Sequence, residues 1–151
     1  MKNAIWRNHL SGCLLAAAVL SASGAQAACT QADLTGTWYS MGVSGDLYYG
    51  SMDEIDRCKI VIGSTGAIVA SASSCIMKDT FGQYTVGISS GSFKVTSTCA
   101  VSGSMRLCYS GICITGRVPY AQLARDKNIL PMLGISASDP DVIFSYTAVK
   151  R

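Results

Sequence analysis

The chain has 151 residues, of which 49% are hydrophobic and 14% charged, with a formal net charge of +3. Lys2 and Arg7 are two of its twelve basic residues, so ten basic residues face nine acidic ones from position 28 onward. No basic block exists to bind nucleic acid, and no apolar run reaches the roughly 20 residues of a transmembrane helix.

The opening segment, MKNAIWRNHLSGCLLAAAVLSASGAQA, reads as a signal peptide. Lys2 and Arg7 form its positive region, Cys13 to Leu20 its apolar core, and Ala25-Gln26-Ala27 a small-residue cleavage site. Residues 1–27 are therefore expected to be removed, and 28–151 to form a single domain. Leu10-Ser11-Gly12-Cys13 resembles a bacterial lipobox, but here the apolar stretch follows the cysteine. A periplasmic or secreted protein is expected, not a lipoprotein.

Strand-like runs follow, separated by Gly and Ser, in a composition that points to an all-β domain. Leu34–Met41 is the first. Gly42–Asp56 reads as a long loop rich in Gly, Tyr and acid. Arg57–Gly63 alternates, with Cys58, Ile60 and Ile62 on one side. Ser64-Thr65-Gly66 turns the chain into a returning strand over Ala67–Ser73. Tyr84–Ile88 and Ser92–Ser97 flank Ser89-Ser90-Gly91 as a second hairpin. Met105–Tyr109 and Ile112–Val118 flank Ser110-Gly111 as a third. Residues 119–135 admit a short helix starting at Pro119, or a hairpin of Tyr120–Arg125 and Ile129–Ile135 around Asp126-Lys127-Asn128. The hairpin is favoured, with Asn in the left-handed position. Val142–Val149 closes the series. The expected fold is a small antiparallel meander, an up-and-down barrel of 8 to 10 strands, with a sandwich as the alternative.

Of seven cysteines, Cys13 falls in the opening segment and six remain. An even set in an exported chain reads as disulfides. Cys108 and Cys113 are expected to pair across the Ser110-Gly111 hairpin, at the close spacing of a non-hydrogen-bonded pair. Cys58 and Cys75 lie on opposite arms around Ser64–Gly66, about three residues out of register. Cys29 with Cys99 is the remaining pair.

The only histidine, His9, lies in the opening segment. The usual general base is then missing from 28–151. No phosphate-binding glycine loop, H-E-x-x-H or C-x-x-C string is present. No catalytic residue, metal or cofactor is expected, and the protein is expected not to be an enzyme.

Asp33-Leu34-Thr35-Gly36-Thr37-Trp38-Tyr39 resembles the G-x-W first strand of calycins, the group of lipocalins and avidins. The resemblance implies a barrel whose closed end is plugged by Trp38, packed against a basic side chain from the last strand, Lys150 or Arg151. Avidin-like biotin sites use several tryptophans, whereas Trp38 is alone in 28–151. Leu34-Thr35-Gly36-Thr37-Trp38 and Cys58-Lys59-Ile60-Val61-Ile62 are also similar to secreted bacterial metalloprotease inhibitors, barrels that insert an N-terminal arm into a protease.

Binding is expected to reside in Gly42–Asp56. Tyr48 and Tyr49 offer contact area there, and Asp53, Glu54 and Asp56 set a negative field. The reading is an exported barrel that binds a small apolar ligand or an extracytoplasmic protein partner. A protease inhibitor and a structural component of a cell-surface assembly are the alternatives. A hollow interior would favour the first, a protruding arm the second and an unpaired edge strand the third.

Overall fold

The computed structural model describes residues 28–151, apart from the side chain of Asp53. The proposed signal peptide and lipobox lie outside the described residues.

The architecture is a closed barrel of eight antiparallel strands in sequence order. A four-residue helix, α1 (Gln31–Leu34), precedes the strands. They are β1 (Gly36–Asp46), β2 (Ser51–Ile62), β3 (Ser74–Lys78), β4 (Gln83–Val95), β5 (Ala100–Tyr109), β6 (Ile112–Gln122), β7 (Ile129–Ser136) and β8 (Val142–Lys150). β1 pairs with β8 from Trp38↔Lys150 to Asp46↔Val142 and closes the sheet. Among the described residues, closure leaves no free edge strand to recruit another chain.

Period-two burial turns this topology into an inside and an outside. On β2, Asp56, Cys58, Ile60 and Ile62 are buried, while Arg57 and Lys59 between them are exposed. β1, β3, β5 and β7 run toward one end of the barrel, so the hairpin tips at 47–50, 79–82, 110–111 and 137–141 gather there, at its open end. The opposite end is closed by α1 and by Trp38, which is 1% exposed. Trp38 Nε1 donates to the Leu34 carbonyl at 2.8 Å. Lys150 Nζ stands 5.7 Å from the Trp38 ring centre and donates to the Asp33 carbonyl at 2.9 Å. The Thr30 backbone N–H donates to Asp33 at 2.7 Å and Lys127 Nζ lies 3.0 Å from it. These two contacts, the backbone one foremost, hold the Asp33 carboxyl below its ordinary range.

Three disulfides staple the barrel: Cys29–Cys99, Cys58–Cys75 and Cys108–Cys113. Cys58 and Cys75 face each other directly across β2 and β3, because the strand that pairs with β2 is β3 and not Ala67–Ser73. That segment instead makes isolated bridges at Ile68 and Ala67 and then a single 3-10 turn, Ala70–Ala72. It fills the gap between β2 and β4 below the short β3. Ser73 Oγ accepts from the Val61 backbone and donates to the Val69 carbonyl, which satisfies the backbone where β3 begins.

Five other expectations need correction. Leu34 ends the helix instead of opening a strand, since the capping box between Thr30 and Asp33 nucleates a turn first. Gly42–Asp56 is not a loop but the outer half of the β1–β2 hairpin, with only 47–50 between the strands. Ser89-Ser90-Gly91 is not a turn: β4 runs straight through, with Ser89 as the extra residue of a bulge opposite Leu107 and Arg106. Tyr120 continues β6 past a second irregularity at Val118 and Pro119, where a missing N–H suits a broken ladder. The following turn places Lys127, not Asn128, at positive φ. The Ser110-Gly111 turn does have positive φ at both residues, the geometry that matches the twist of a two-residue hairpin.

Candidate functional site

Two aromatic side chains of β8 shape the open half of the lumen. Phe144 and Tyr146 both point inward, with ring centres 5.7 Å apart. A Cβ on Gly134 or Gly116 would overlap the Phe144 ring, and one on Gly42 would overlap Tyr146. The rings therefore lie flat on glycines of neighbouring strands, against the wall, and do not cross the lumen. A cavity of about 60 Å³ remains, with Met77, Met105, Leu107, Val118, Val142 and Phe144 among its apolar lining. Its polar wall carries Ser44, Glu54, Ser136 and Tyr146. A smaller cavity of about 10 Å³ lies deeper, beside Ser40, Cys58 and Phe93, and shares Met105, Val118, Phe144 and Tyr146 with the first.

Behind the polar wall is a network of two carboxyls and three hydroxyls. Glu54 accepts from Tyr84 Oη at 2.6 Å and from Ser44 Oγ at 3.0 Å. Asp56 is 0% exposed and accepts from Tyr146 Oη at 2.7 Å. Ser44 Oγ also lies 3.3 Å from Asp56 Oδ2, but its single proton serves one carboxyl at a time. Asp56 Oδ1 and Ser40 Oγ are buried without a hydrogen-bond partner among the described residues. Burial raises the Asp56 pKa, with the charge of Glu54 adding to it, against the lowering effect of the Tyr146 hydrogen bond. Tyr84 is held protonated above its ordinary range, chiefly by its bond to Glu54. Tyr146 is shifted upward too, first by burial and then by the charge of Asp56.

The residues expected to bind are divided by this arrangement. Glu54 and Asp56 enter the lumen side of β2. Tyr48 and Tyr49 sit on the hairpin tip, 78% and 77% exposed, their rings edge to face at 5.0 Å. Asp46 Oδ1 accepts from both of their backbone N–H groups and shapes that tip. Asp53 is the extra residue of the β1–β2 irregularity, between Glu54 opposite Ser44 and Met52 opposite Gly45. Ser40, Ser44, Tyr84, Phe144 and Tyr146 were not singled out from sequence. Hollows of about 620 and 650 Å³ lie on the outer face of the sheet, around Met41 and Thr147 and around Tyr120 and Pro131, away from these carboxyls.

No protein-family model and no curated protein matches the chain. A search of solved structures finds an S-type phycobiliprotein lyase from Guillardia theta, at TM-score 0.38 and 10% identity, covering 80% of this chain and 90% of that one. The eight-strand barrel agrees with a calycin-like resemblance at the level of architecture. The expectation that the protein is not an enzyme is withdrawn, because a chain found by that search is described as a lyase.

Proposed function

We propose that the protein is a small-ligand-binding barrel that takes the apolar body of a small molecule into the open half of its lumen. The observation that carries this reading is the apolar cavity held open by Phe144 lying on Gly116 and Gly134, with one polar wall. The exposed side chains Leu47, Tyr48, Tyr49, Met52, Phe81 and Ile112 at the tips of the same end supply apolar contact for whatever part of the ligand stays outside. Two other readings lose support. The chain is tied down from Cys29 by a disulfide and a backbone bond to Ser97, which disfavours a free inhibitory arm over the described residues. A closed sheet disfavours assembly through a strand edge. Export belongs to the same proposal: three disulfides suit an oxidising compartment, and cleavage after Ala27 would show as an intact mass starting at Ala28.

The test is a titration with n-butanol, a small neutral probe, followed by NMR. Gly134→Ala pushes the Phe144 ring off the wall and into the cavity. The wild type is expected to bind, and the variant to bind about tenfold more weakly or not at all. Gly116→Ala is the second variant should the first fail to fold. Equal binding by wild type and a folded variant would put the site outside the lumen.

A further inference from the structure

Two carboxyls side by side in a lumen need a counter-charge or a proton. Glu54 and Asp56 are two residues apart on the inward face of β2 and share the hydroxyl of Ser44. Among the described residues, no Lys, Arg or His lines either cavity. Ser44, Tyr84 and Tyr146 offer three protons to four carboxyl oxygens. Asp56 Oδ1 receives none of them. A buried carboxylate left in this state is expensive unless it takes up a proton or something from outside the protein completes it. Burial, with the neighbouring charge of Glu54, raises the Asp56 pKa in the same surroundings. Water is a poor remedy, since the larger cavity is mostly lined by apolar side chains and an ordered water needs two to four polar partners. Independently of the carboxyls, the buried Ser40 hydroxyl has no hydrogen-bond partner among the described residues and lines the inner cavity.

The charge distribution along the barrel points the same way. Asp46, Asp79, Asp139 and Asp141 stand at the open-end tips against Lys78, while Lys94, Arg125, Lys127, Lys150 and Arg151 cluster toward the closed end against Asp33 and Asp126. A cation approaching the barrel is drawn to the mouth and an anion away from it.

We propose that the lumen is built for a small cationic amine, its protonated nitrogen on Glu54, supported from behind by Asp56 through Ser44 and Tyr146, and its short apolar body against Met77, Met105 and Val118. This rests on the lumen reading above and adds the chemical class of the ligand. An ammonium group on Glu54, the carboxyl that lines the cavity, supplies the counter-charge that the pair lacks, and an aliphatic chain suits the facing wall. A cavity of about 60 Å³ selects a short body of a few carbon atoms.

The experiment compares three isosteric probes at pH 7 by NMR titration of the 28–151 chain with its disulfides intact: n-butylamine, n-butanol and butyrate. The expected result is n-butylamine at least about tenfold tighter than n-butanol, with butyrate not binding. Glu54→Gln keeps an acceptor for Tyr84 and removes the charge, and is expected to bring n-butylamine down to the level of n-butanol. If that variant does not fold, the three-probe comparison on the wild type decides alone. Equal affinities for amine and alcohol would overturn the cationic assignment and leave the lumen reading intact. An amine preference that survives in a folded Glu54→Gln would also overturn it, by assigning the preference to the acidic mouth in general. If no probe shifts a lumen resonance, both readings fall.

Discussion

Replacing Trp38 with Ala is expected to destabilise the barrel by about 3–5 kcal/mol, the range for deleting a buried aromatic. For a domain of this size that is a melting temperature roughly 10–20 °C lower. Three losses coincide at this position. The indole is 1% exposed, so its removal leaves a large hole at the closed end. The Leu34 carbonyl loses the Nε1 donor that satisfies it. Lys150, held over the ring, loses the surface it packs on. Thermal or denaturant unfolding of the oxidised protein measures the effect. A cost below about 1 kcal/mol would mean that the closed end contributes little to the core.

The second large effect is expected from the N-terminal staple. Cys29 and Cys99 close a loop of 70 residues. On the chain-entropy account, the Cys29→Ser, Cys99→Ser double variant loses about 4 kcal/mol, whereas opening Cys108–Cys113, which spans 5 residues, costs about 2 kcal/mol. The long staple has a further consequence. It anchors α1, which brings the fully buried Leu34 and the carbonyl that Trp38 bonds to the closed end. Its removal should therefore be less than additive with Trp38→Ala, because both changes disturb one packed unit. Full additivity in denaturant melts would show that α1 stays docked without its bridge.

The sequence already displays the β5–β6 hairpin, because Ser110-Gly111 between two alternating runs has the chemistry of a two-residue turn. It hides β4, because Ser89-Ser90-Gly91 has turn composition but serves as a bulge inside one long strand. The segment 42–56 is misleading for a related reason. Gly42 and the acids of 53–56 have the composition of a loop, yet Gly42 is small because Tyr146 lies on it, and Glu54 and Asp56 are acidic on the wall of a lumen. One regularity was available. The alternation of Cys58, Ile60 and Ile62, carried two steps back, passes through Asp56 and Glu54. Their hydroxyl partners lie on β1, β4 and β8, and only the closed pairing of β1 with β8 brings Ser44 and Tyr146 onto one carboxyl. That coincidence is tertiary and has no local pattern to announce it.

The central claim is that ligand enters the barrel and does not settle on its surface. The methionines provide built-in reporters on both sides of the wall. Met77 and Met105 line the cavity, whereas Met41 and Met52 are 62% and 66% exposed on the outer face and the hairpin tip. The most direct measurement is a titration of protein labelled with ¹³C at the methionine methyls, using n-butanol and n-butylamine. The account predicts that the Met77 and Met105 methyls shift and saturate while those of Met41 and Met52 stay in place. Shifts confined to Met41 or Met52, with Met77 and Met105 unmoved, would contradict it.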